Sequence, residues 1–239
     1  MTTLNVNTIT PAGSTLTLGE SGDTVVVADD VKVNTVKDAG GNTLWVSDGS
    51  GSLSSVSGFG DALKLLSTQT VTNQASVSFV SGIDSTYKEY VFQALDVIPA
   101  TDETRLQFET STDGGSSWGV IKTTASFRAE HDVTGNTTEL AYWIGIAQAT
   151  TAVTLTDFLG NVAPESGMAS VRLFNPASTT YVKNFSATTQ SWTAGDGRNR
   201  SQNLFVGGYI NTTSAINGFR FNISSGNIAY GKFKMYGVL

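Results

Sequence analysis

The residues that could do chemistry are few and scattered. His131 is the only histidine, and there is no cysteine. A nucleophilic triad or a histidine-ligated metal needs partners at a defined geometry. Glu130 and Asp132 flank His131, but adjacent residues of a strand point to opposite faces, so the three cannot converge. His131 is therefore expected in a loop. Carboxylates occur as the neighbours Asp102 and Glu103, three residues after Pro99, and as Asp29 and Asp30 near the N-terminus. A glycosidase needs two carboxyls flanking a sugar, one with its pKa raised. Neither pair lies in an aromatic setting that would raise one. No D-x-D-x-D-G calcium loop is present. Gly49-Ser50-Gly51 and Gly58-Phe59-Gly60 lack the Lys-Ser/Thr pair and the following helix of a phosphate loop. The chain reads as non-enzymatic, with no catalytic, cofactor-binding or metal-ligating residue.

Two segments carry more information. Ser191 to Ser201, SWTAGDGRNRS, holds an aromatic, an acid and two arginines among glycines. Aromatic faces beside planar hydrogen-bonding groups suit recognition of a sugar or a polar polymer. Trp192, Arg198 and Arg200 are thus candidate receptor contacts. The competing reading is a solvated loop with Trp192 tucked into a sheet edge. Ser111 to Trp118, STDGGSSW, resembles the Asp-box of sialidases, which in that family is a structural turn away from the catalytic pocket. Here it occurs once. It is expected to be a tight hairpin between RLQFETS and WGVIKTT marked by Ser111, Asp113, Gly115 and Trp118, with the Asp113 side chain capping backbone N–H groups, the glycines at positive φ and Trp118 packed beneath.

The elements that must position these residues are strands. Charged residues make up only 14% of the chain, against about 25% in typical globular domains. Its surface must then be built from Ser, Thr, Asn and Gly. The net charge of −6 argues against a nucleic-acid partner. The start, MTTLNVNTI, has neither the basic nor the apolar region of a secretion signal, and no apolar run is long enough for a membrane helix. Synthesis in a host cytoplasm and no membrane insertion are the expectations.

Residues 1 to about 48 read as short alternating runs, LNVNTI, STLTLG, DTVVV, VKVNTV and TLWVSD, split by Gly, Asn, Asp and Ser. Trp45 is their one large side chain besides small aliphatics. At about 25 cal/mol per Å², such strands cannot bury enough to offset their ordering entropy alone. Partner copies are needed. Residues 49–60 form a Gly/Ser linker, and 61–239 carry three of the four tryptophans. Strand-like runs there recur with turn signals between them, from ALKLLSTQTV through YKEYVFQAL and TYVKNFSATT to GKFKMYGVL, the pattern of a β-sandwich or barrel. A short helix over DALKLLS is a minor expectation. The fold class expected is all-β: an intertwined stem over 1–60, then a jelly-roll-like β-sandwich head over 61–239, as a homotrimer.

At this point a family resemblance emerges. GIDSTYKEYVFQALDVIPATDETRLQFETSTDGGSSW, RLFNPASTTYVKNFSATT, the ending INGFRFNISSGNIAYGKFKMYGVL and the opening LNVNTITPAGSTLTLGESGDTVVV resemble tail-fibre-like virion proteins of tailed bacteriophages, marine ones especially. The resemblance spans nearly the whole chain and implies a trimeric appendage without catalytic residues. It leads to a virion structural protein, a fibre or tail appendage that joins other virion proteins through its N-terminal region and meets a host surface glycan or protein. A capsid decoration protein, or head fibre, is the alternative. A polysaccharide-degrading enzyme is a third, opposed by the missing acid/base pair.

Overall fold

The fold is that of a computed structural model, which describes residues 35–38, 40–47, 49–50, 53–56 (backbone only), 62–193 and 199–239. The chain divides into two units, Met1–Phe59 and Gly60–Leu239. Among the described residues every regular element is a strand and none is a helix. The β-branched and aromatic content, with alternating polar positions, dictates this.

In the first unit, β1 (Thr35–Lys37), β2 (Thr43–Ser47) and β3 (Leu53–Val56) form a small antiparallel meander. The turn between β1 and β2 is closed by Asp38, whose Oδ1 accepts the Asn42 N–H at 2.8 Å. Between residues 35 and 50 no described side chain is buried, and Trp45 is only half-buried.

The second unit contains β4 (Leu63–Gln74), β5 (Ser76–Phe79), β6 (Glu89–Pro99), β7 (Leu106–Ser111), β8 (Lys122–Asp132), β9 (Thr138–Tyr142), β10 (Ile146–Ala149) and β11 (Val153–Thr154). It continues with β12 (Gly167–Phe174), β13 (Lys183–Thr193), β14 (Arg200–Ile210), β15 (Gly218–Ile223) and β16 (Ile228–Val238). The larger sheet runs β10-β8-β14-β13-β12-β6-β16-β4, with β9 also paired to β8. The smaller runs β11-β7-β15-β5. All pairs are antiparallel, and neither sheet closes into a barrel. A jelly roll has eight strands; here the sheets have nine and four.

The two sheets share one core. Phe92 of β6 stacks on Phe219 of β15 with centroids 3.8 Å apart and planes 4° from parallel. Phe219 also meets Phe108 and Phe221 at 5.0 Å, and Phe108 meets Phe185 edge-on at 5.1 Å. Period-2 alternation accounts for this layer. β13 buries Lys183, Phe185, Ala187, Thr189, Ser191 and Thr193 and exposes the residues between, apart from half-buried Gln190.

Two expectations change here. DALKLLS does not form a helix: Leu63–Ser67 opens β4, where pairing to β16 satisfies the backbone. Ser111 to Trp118 does not join a hairpin either. β7 pairs with β11 and β15, while β8 lies in the larger sheet. The segment is a corner by which the chain crosses between sheets.

Phe219 fills the centre of the aromatic layer. Phe219→Ala should lower the unfolding free energy by about 3–5 kcal/mol, measured by urea denaturation. Phe205→Ala, which truncates a partly exposed side chain on the outer face, should cost far less.

Candidate functional site

The corner at 111–118 is built from its own side chains. Buried Ser111 accepts the N–H groups of Asp113 at 3.2 Å and Gly115 at 2.9 Å through its Oγ, and donates to Asp113 Oδ1 at 2.6 Å. Asp113 also accepts the Ser117 N–H at 2.9 Å and the Ser117 hydroxyl at 2.6 Å. These donors, Ser111 and Ser117 foremost, hold the Asp113 carboxyl at a pKa of about 2. Gly115 has φ +91, and a Cβ there would lie 2.7 Å from Val80 and 3.1 Å from the Trp118 ring. Trp118 is half-buried rather than a core residue. Its ring lies under the Arg220 guanidinium, 4.7 Å away, which Glu109 holds through Nε at 2.9 Å and Nη2 at 2.6 Å. All these contacts are structural.

The structure corrects the loop reading of 191–201 at its two ends, where 191–193 and 200–201 are strand. β13 runs to Thr193 and β14 begins at Arg200. Trp192 is 38% exposed on the outer face of the larger sheet, whereas Arg200 is 4% exposed and points inward. Trp192 pairs with Ser201 and Thr193 with Arg200, so strand alternation puts the aromatic and the cation on opposite faces. Arg198 lies outside the described residues. Trp192 and Arg200 therefore do not form one contact surface.

Arg200 belongs to an ionic cluster at one end of the sandwich. Its Nη1 lies 3.4 Å from Glu130 Oε1, and Gln202 Nε2 donates to Glu130 Oε2 at 3.0 Å. Arg128 reaches Glu139 at 2.7 Å, Glu130 at 3.6 Å and Asp157 at 3.7 Å, and lies 4.3 Å over the Trp143 ring. Arg105 reaches Asp157 at 3.2 Å. Among the described residues three cations face three carboxylates. Toward the other end Lys122 and Lys183, both fully buried, flank Ile210 across β14. Lys122 donates to the Thr150 and Thr151 carbonyls, and Lys183 to those of Tyr181 and Thr212. Burial pulls both ammonium pKa values down.

The remaining candidates for catalysis stay apart. His131 sits on β8, exposed, its Nδ1 2.8 Å from the Asp132 carbonyl oxygen, rather than in a loop. Asp102 is exposed and accepts the Asn161 N–H at 3.3 Å, and Glu103 is a turn residue at φ 55. Asp29 and Asp30 lie outside the described residues. Among the described residues no three His, Asp or Glu side chains are grouped to hold a metal.

What sequence reasoning missed lies on the outer face of the larger sheet. A groove of about 450 Å³ runs over small residues, Ala125, Ser186 and Gly207, beside Tyr142 and the stacked Phe127–Phe205 pair. Beside Trp192, Gln190 donates to Ser201 Oγ at 2.9 Å and accepts from Asn203. Two strands away, Asp96 has φ 52 in the middle of β6. A lone acid inside the apolar run QALDVIP was the available signal. Comparison with known proteins finds no matching family model, curated protein or solved structure.

Two outcomes follow. Glu130→Ala removes the buried carboxylate that Arg200 and Gln202 share and should cost about 3–5 kcal/mol in thermal or urea unfolding. The Asp113 carboxyl, at about 2 against an ordinary 3.8, is depressed in the folded state. Its stabilisation is therefore present above the ordinary value and is lost as pH falls through about 2. Urea midpoints followed down to pH 2 should drop, and Asp113→Asn should flatten part of that drop.

Proposed function

We propose that this chain is a structural protein of a tailed-phage virion, a trimeric fibre or tail appendage without enzymatic activity. One observation carries the reading. The second unit has its own continuous core, whereas no described side chain between 35 and 50 is buried. An N-terminal unit of such short strands takes its burial from partner chains, and a trimeric stem supplies them. Short strands of this kind also suit pairing onto another virion protein, where main-chain hydrogen bonds supply the affinity. The head, with a core of its own, is the part suited to stand in solvent and meet the host surface. The family resemblance of the sequence points the same way.

The test is copy number and location. Quantitative mass spectrometry of purified virions should give a few trimers per particle, and virions lacking residues 1–48 of the protein should not incorporate it. Hundreds of copies per particle, with heat-fragile capsids on deletion and normal adsorption, would replace the appendage reading with capsid decoration.

A further inference from the structure

We infer that the outer face around the β6 bulge is a binding site for a neutral hexopyranose unit of a glycan. The inference takes its biological sense from the host-contact reading above, and its chemistry from the following geometry.

β6 carries one extra residue relative to both neighbours. Ala94 to Val97 spans three steps against two for Ala169 to Gly167 on β12, and Leu95 to Ile98 spans three against two for Lys232 to Tyr230 on β16. The extra residue turns Asp96 out of the sheet at φ 52. Bulges re-aim side chains, and a strained non-glycine conformation persists where its surroundings impose it. Asp tolerates this region best when its side chain bonds nearby backbone. Here the exposed Asp96 carboxylate makes no hydrogen bond or ion pair among the described residues. Glycine would adopt the same conformation without strain. The acid at this position is therefore unexplained by folding.

Asp96 lines a cavity of about 230 Å³ with Leu95, Ser166, Met168 and Gln190. Drug-sized ligands occupy about 300–1,000 Å³, so this space suits a single ring. Gln190 is fixed by Ser201 and Asn203, which pre-organises the amide row. Trp192 lies next along β13, two strand spacings from β6, or about 10 Å. Its exposed face offers an apolar platform for a ring's C–H face, while the carboxylate and amides accept from hydroxyl groups. The unpaired carboxylate repels an acidic sugar.

The intact protein labelled with 5-fluorotryptophan gives resonances from Trp45, Trp118, Trp143 and Trp192, the last assigned by Trp192→Phe. Methyl glycosides of glucose, galactose, mannose and N-acetylglucosamine are titrated, with methyl glucuronide as the acidic control. At least one neutral glycoside should shift the Trp192 resonance saturably, and the glucuronide should not. Asp96→Gly should keep or raise the melting temperature and weaken that binding at least tenfold. No neutral glycoside acting on Trp192, or full affinity in Asp96→Gly, overturns the inference. Virions carrying Asp96→Gly separate it from the broader reading. Lost adsorption with no saccharide binding by the wild type removes the sugar site and keeps host contact. Saccharide binding with unchanged adsorption keeps the site and removes its role in host contact.

Discussion

The face-to-face contact of Phe92 and Phe219, 3.8 Å between centroids, is the constraint on which the head depends. It joins a strand inside the nine-stranded sheet to one inside the four-stranded sheet. Once those two rings face each other, strand alternation decides the orientation of every neighbouring position. Phe108, Phe185, Phe221 and Phe233 continue the layer. A one-residue slip of β15 would exchange Phe219, Phe221 and Ile223 for Gly218, Arg220 and Asn222. The bulge at Leu95 and Asp96 is such a slip, contained within β6, and it leaves Ala94 and Val97 both buried. The core thus tolerates one extra residue and turns it outward.

The charged residues are few, and the structure spends several of them at the sandwich's ends. Arg105, Arg128 and Arg200 meet Glu130, Glu139 and Asp157, while Lys122 and Lys183 hold loop carbonyls. Ion pairs of this kind contribute little net stability compared with apolar packing, but removing one partner is costly because the other charge stays buried. Their effect is to fix which loops close which end. A surface left to Ser, Thr, Asn and Gln follows, and with it an outer sheet face on which a few aromatics stand out.

Much of this was legible in the sequence. Alternation in YKEYVFQAL, MASVRLFN and GKFKMYGVL marked β6, β12 and β16, because period 2 is a local property. The corner at Ser111–Trp118 was legible as a turn, since Ser, Asp and Gly act through neighbours a few residues away. Its sheet-crossing role was not, because that depends on which distant strands pair. Arg200 was misplaced for the same reason: SWTAGDGRNRS has the composition of a loop, yet pairing carries β13 to Thr193 and starts β14 at Arg200. DALKLLS has a helical composition, which an eleven-residue partner, β16, overrides. Asp96 could be located but not interpreted, because a bulge is visible only as a register difference against two neighbours.

The second unit has a core of its own, and no described side chain between 35 and 50 is buried. The most direct measurement is the mass of the purified chain by light scattering across a dilution series. The account predicts three times 25.1 kDa down to the lowest concentration at which the N-terminal unit resists protease. A monomer whose N-terminal unit stays protease-resistant would contradict it.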